Sequence, residues 1–119
     1  MMLFDSHSHL HFYQYDDDRE EIIKKLRDFN IKTINVGTDF EESEKAVKLA
    51  LKYPDLLYAS VGLHPNDASK SDLDYEKYKA LAKSDSVVAI GECGLDYYYL
   101  KSQISNLKIK ELQKGIFEK

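Results

Sequence analysis

The residues best placed to do chemistry are His7 and His9, in Phe4-Asp5-Ser6-His7-Ser8-His9-Leu10, and Glu92, in Ile90-Gly91-Glu92-Cys93-Gly94-Leu95-Asp96. Side chains two positions apart on an extended backbone leave the same face, with Cα atoms about 6–7 Å apart. Imidazoles at that spacing can converge on one divalent ion with N–metal bonds of about 2.0–2.1 Å. Glu92 follows Gly91 at the end of a wholly apolar run. A carboxylate there is costly unless it is paired or bound to a metal, and a salt bridge to a lysine is the plainer alternative. The chemistry such a set supports is hydrolysis by metal-activated water.

Neighbouring residues carry weaker signals. Asp5 either orients one of the imidazoles or packs within the strand. His11 continues the alternation and is a third ligand, a substrate-side group or a surface residue. His64 precedes Pro65, so its backbone is extended and its ring can cross the same face; it contacts a substrate phosphate or only structures its loop. Asp96 either accepts from backbone N–H groups of its loop or orients a ligand. Cys93 has no base partner in the sequence and reads as an inert packing residue. The run Tyr97-Tyr98-Tyr99 stacks on a base or sugar, or packs on a rim.

Positioning these groups requires a repeated scaffold, and the sequence has one. Met1 to Phe4 is a short apolar run ending at the histidine segment. Asp16-Asp17-Asp18-Arg19-Glu20-Glu21 places acids where a helix N-terminus favours them, with Ile22, Ile23, Leu26 and Phe29 at helical spacing and Asn30 as a stop. Ile31 to Gly37 is a β-branched strand. Thr38-x-x-Glu41 and Asp39-x-x-Glu42 are capping-box patterns before Ala46, Val47, Ala50 and Leu51, and Tyr53-Pro54 ends that helix. Leu57 to Gly62 is a third strand, and Ser71-x-x-Asp74 opens a helix with Tyr75, Tyr78, Leu81 and Ala82. Val87 to Gly91 is a fourth strand, followed by a long loop and a helix carrying Ile109, Leu112, Ile116 and Phe117.

Apolar strands alternating with amphipathic helices argue for parallel strands covered by helices. Four βα units are half of a (β/α)₈ barrel, which takes about 250 residues. The fold class expected is therefore α/β, the N-terminal (βα)₄ portion of a TIM-type barrel with outer helices. The last helix has no Gly or Asn stop, so residues 1–119 are read as a single partial domain cut at its C-terminal end. His7 and His9, Asn35 and Asp39, His64, and Glu92 all fall where strands end, the face that carries active sites in such barrels.

Composition limits the alternatives. The 119 residues are 43% hydrophobic and 32% charged, with a formal net charge of −4. That balance gives no basic footprint for nucleic acid, although a bound cation attracts phosphate locally whatever the global charge. The single cysteine excludes an intrachain disulfide. No signal peptide or apolar run of about 18 residues is visible, which predicts a cytoplasmic protein with no membrane contact.

Asp5-Ser6-His7-Ser8-His9-Leu10, Gly62-Leu63-His64-Pro65 and Ile90-Gly91-Glu92-Cys93-Gly94-Leu95-Asp96-Tyr97-Tyr98, in this order, resemble the TatD family of metal-dependent deoxyribonucleases. Leu112-Gln113-Lys114-x-x-Phe117-Glu118 is similar to the helix that follows in that family. The resemblance implies an amidohydrolase-like TIM barrel that hydrolyses phosphodiester bonds in DNA with two divalent ions, Mg, Mn or Zn. By it, His7 and His9 ligate one metal and Glu92 contributes a carboxylate to the pair, His64 lies on the substrate side, and Asp5 and Asp96 support the ligands. The family supplies further histidines and a catalytic aspartate from later strands. No counterpart is present here, so no catalytic residue is assigned and little nuclease activity is expected of residues 1–119 alone. His11 stands where an acidic residue is common, and the stretch from Tyr99 to Leu112 is longer than the usual connection. Two other readings remain: a non-catalytic half-barrel that binds metal or self-associates through open sheet edges, and a PHP-type phosphoesterase. Phosphotriesterase-like enzymes are disfavoured because Glu92 stands where they place a lysine.

Overall fold

The computed structural model describes residues 1–70, 73–98, 100 and 103–119. Four strands, β1 (Leu3–Ser8), β2 (Ile31–Val36), β3 (Leu57–Val61) and β4 (Val87–Ile90), form one sheet in the order β1-β2-β3-β4 with every pairing parallel. Helices α1 (Arg19–Asp28), α2 (Phe40–Lys52) and α3 (Tyr75–Leu81) connect successive strands, and α4 (Gln103–Phe117) follows β4. The expected (βα)₄ architecture is the observed one.

Local chemistry explains the boundaries. The Asp39 carboxylate accepts from the Glu42 N–H at 2.8 Å and caps α2, so Asp39 rather than Thr38 sets that start. Asp74 caps α3 by accepting from the Lys77 N–H at 3.3 Å; Ser71, the other candidate, lies outside the described residues, as does Tyr99. Asp18 stands at the α1 N-cap with no side-chain bond, so that helix relies on acids in its first turn. Asn30 follows α1 with φ of 55°, a left-handed turn that asparagine tolerates.

The core lies between the sheet and the helices. Ile23, Ala46, Val47, Ala50, Leu57, Ala59 and Val61 are buried there. Thr33 and Asn35 of β2 face the same side and are also buried. On the opposite face Phe4 stacks on Tyr58, with ring centroids 5.8 Å apart, and stays half exposed. All four helical faces differ from the sequence expectation. Phe29, Leu51 and Tyr75 are exposed, and α2 buries Ser43 beside Ala46, Val47 and Ala50. On α4 the exposed residues include Leu112 and Phe117, while among its described side chains the buried one is Gln113. Periodicity alone assigned the apolar side chains inward; a buried hydrogen-bonding partner rotates α4 away from that register.

Candidate metal centre

β1 runs further than the apolar pattern implies, through His7 to Ser8, because Ser8 still pairs with Asn35 after a register shift following Asp5. Ser8 turns toward the buried side, where its hydroxyl accepts from Thr33 Oγ1 at 2.8 Å. Alternation then sends His7 and His9 to the opposite side of the strand end. The Nδ1–H of His9 donates to the Val36 carbonyl at 2.8 Å. A carbonyl can only accept, so this bond fixes the proton on Nδ1 and leaves the Nε2 lone pair free for a cation.

The fourth unit brings Glu92 to the same place. Its backbone N–H donates to the Gly37 carbonyl at 2.9 Å, and Gly91 N–H donates to Val61 at 2.9 Å. The segment therefore crosses the end of β3 at close range. A Cβ on Gly62 would lie 2.6 Å from both Gly91 C and the Glu92 carbonyl oxygen, so only glycine fits without displacing Glu92.

His7, His9 and Glu92 each offer one ligand atom, and these atoms lie within 4.8 Å of one another. The two Nε2 atoms are 3.2 Å apart, close to the roughly 3.3 Å expected for two nitrogens on one tetrahedral ion at 2.0–2.1 Å. His7 Nε2 is 3.7 Å from Glu92 Oε1. The donor set of two imidazoles and one carboxylate suits a divalent ion with an open position for water. The residues thus fit a metal. His64 Nε2 approaches the same Glu92 oxygen at 4.0 Å, while its Nδ1 accepts from the Asn66 N–H at 3.1 Å. His64 therefore carries its proton on Nε2, facing the site. Among the described residues no lysine pairs with Glu92; the rings of His7 and His64 face its carboxylate instead.

The Asp5 carboxylate accepts from the backbone N–H of His7 at 3.1 Å, in keeping with a place in the strand. Asp96 accepts from the Tyr98 N–H at 2.9 Å and from Asn66 Nδ2 at 2.8 Å, in keeping with a hold on its loop. Two expectations need correction. Cys93 is exposed, not packed. His11 is not a surface group. It is 5% exposed, edge-on to Phe12 and 3.7 Å from Glu42. Burial, the largest cause, pushes its pKa down to about 4, so the ring is neutral. Tyr97 meets Lys110, whose Nζ is 4.8 Å from the ring centre. The sequence reading missed Gln113, whose motif position was noted without a role.

Comparison with known proteins follows this geometry. A family profile described as TatD related DNase matches residues 4–119. The uncharacterized metal-dependent hydrolase YabD of Bacillus subtilis (strain 168) is 40% identical over 118 residues, which cover 98% of this chain and 44% of that protein. The 3'-5' ssDNA/RNA exonuclease TatD of Pectobacterium carotovorum is 39% identical over 97 residues, covering 80% of this chain and 37% of that one. The crystal structure of YJJV, a TatD homolog from Escherichia coli K12, superposes with a TM-score of 0.78 at 28% identity, covering 98% of this chain and 44% of that one. The chain thus spans less than half the length of these relatives. The PHP-type alternative finds no support in these matches. Histidines and glutamate gathered at the strand ends of a parallel βα array, with a family match over nearly every residue, lead to one conclusion: the chain belongs to the TatD-related DNase family.

Proposed function

We propose that this chain forms the first half of the active rim of a metal-dependent phosphodiesterase acting on nucleic acid, DNA first. One observation carries the reading: three ligand atoms from β1 and from the segment after β4 lie within 4.8 Å of one another. Relatives named as a metal-dependent hydrolase and as a single-stranded DNA and RNA exonuclease support it. When bound, a divalent ion lowers the pKa of coordinated water toward about 7 and offsets phosphate charge.

The chain's own residues divide the remaining work. His9, held by Val36, presents Nε2 in a fixed direction; His7 presents a second nitrogen; Glu92 supplies the negative charge that matches a divalent cation. His64, with its proton on Nε2, offers a donor to a phosphate oxygen at the edge of the site. The complete enzyme uses two ions, of Mg, Mn or Zn, and draws the base for the attacking water from residues outside this set. Residues 1–119 alone accordingly turn over little substrate. The test is cleavage of an end-labelled single-stranded DNA with Mn²⁺. Cleavage by a protein that contains residues 1–119 should stop on chelation, and should lose at least about tenfold in rate with Glu92→Gln. Chelator-resistant cleavage, or full activity in that variant, contradicts the proposal.

A further inference from the structure

Among the described side chains of α4, a glutamine and not an apolar residue is the most deeply buried. Gln113 is 1% exposed. Its Oε1 accepts from the Asp96 N–H at 2.9 Å, and its Nε2 donates to the Asp96 carbonyl at 3.0 Å and to the Pro65 carbonyl at 3.1 Å. One side-chain amide thereby reads both backbone groups of one residue and uses its second donor on another loop. A buried primary amide satisfied this fully costs little and fixes what it touches.

The two loops it joins are the two that flank the metal rim. Pro65 directly follows His64, and Asp96 lies on the loop after β4 that also carries Glu92. The Asp96 carboxylate extends the tie by accepting from Asn66 Nδ2 at 2.8 Å, and the Asn66 N–H in turn donates to His64 Nδ1 at 3.1 Å. A continuous path of hydrogen bonds therefore runs from α4 to the ring of His64, which faces Glu92 at 4.0 Å.

We propose that Gln113 is a positioning residue: by clasping the loops after β3 and β4 it sets where Glu92 and His64 stand relative to the β1 histidines. The proposal rests on the metal-site reading above. Outer groups of this kind govern ligand placement, and their loss costs about 10–100-fold in metal affinity.

The test compares Gln113→Leu, which keeps the volume but removes all three bonds, with Ile116→Ala, which loosens α4 packing and leaves the bonds in place. Mn²⁺ affinity is read by calorimetry, and amide hydrogen exchange is read over residues 62–68 and 91–98. Gln113→Leu should weaken Mn²⁺ binding at least about tenfold and speed exchange in both loops. Ile116→Ala should lower the unfolding midpoint yet hold Mn²⁺ affinity within about twofold. If Gln113→Leu does not fold, Asn66→Ala breaks the same path from the surface and should weaken Mn²⁺ in the same direction. Unchanged Mn²⁺ affinity in a folded Gln113→Leu protein overturns the proposal, as does equal weakening by Ile116→Ala. Absence of Mn²⁺ binding by the unsubstituted protein defeats the metal-site reading instead; loop exchange alone then decides whether the clasp exists.

Discussion

Gly62 shows how a single missing atom holds the site open. Its Cβ position is 2.6 Å from the Gly91 carbon and the Glu92 oxygen, both backbone atoms that cannot swing aside. Gly62→Ala should cost about 1–3 kcal/mol in urea unfolding, as overpacking does, and should weaken divalent metal binding because Glu92 must move; unchanged affinity would mean the two segments are free to separate. The candidate ligand types were legible at this scale because two imidazoles on one face of a strand end, and a carboxylate after an apolar run, are costly to place without a partner. The supporting partners were not. Whether Asp5 meets a ring or a backbone N–H depends on strand register, and a bulge after Asp5 decided it. His11 reads as accessible from alternation alone, yet the chain turns at Leu10 and carries it inward, where the ring is buried.

Elements were easier to read than their faces. Strands and helices follow from β-branched runs and acid-rich caps, and their order is as expected. Asp39→Ala should destabilise the protein by about 1 kcal/mol, because a real N-cap bond is lost. Asp18→Ala should cost less than half of that, because no such bond exists at α1; equal effects in urea denaturation would contradict the cap assignment. In α3, Tyr78 is buried against Phe40. Burial, aided by the charges of Asp39 and Asp67, raises its pKa to about 12 from the ordinary 10. A phenol held protonated in the fold contributes stability that is complete below pH 10 and is lost as pH rises through 12. Absorbance titration near 295 nm should therefore show a late-titrating tyrosine that disappears in Tyr78→Phe. The face of α4 escaped the sequence because Leu112 and Phe117 obey helical spacing as well as any core residue. Only its tertiary hydrogen bonds to the Pro65 and Asp96 carbonyls single out Gln113.

At the scale of the molecule, β1 and β4 are the edges of a parallel sheet among the described residues. Apolar side chains such as Leu3, Phe4, Val88 and Ile90 are exposed on or beside them. Parallel sheets are stable with both faces covered, so sedimentation velocity of residues 1–119 should show concentration-dependent association; a monodisperse monomer across the accessible range would contradict this. No helix among the described residues is long and apolar enough to cross a membrane. Strand order and the convergence of His7, His9, His64 and Glu92 at one end were legible, since parallel βα topology forces strand ends together. Interatomic distances were not, because they rest on Gly62, Gly37 and Val36 backbone contacts that no local pattern encodes. The most direct test of the metal centre is calorimetric titration of the 119-residue protein with Mn²⁺. Saturable binding of one ion per chain should weaken at least about tenfold in His9→Ala, with far-ultraviolet circular dichroism unchanged. No binding by the unsubstituted protein, or equal binding by the variant, would contradict a metal site built from His7, His9 and Glu92.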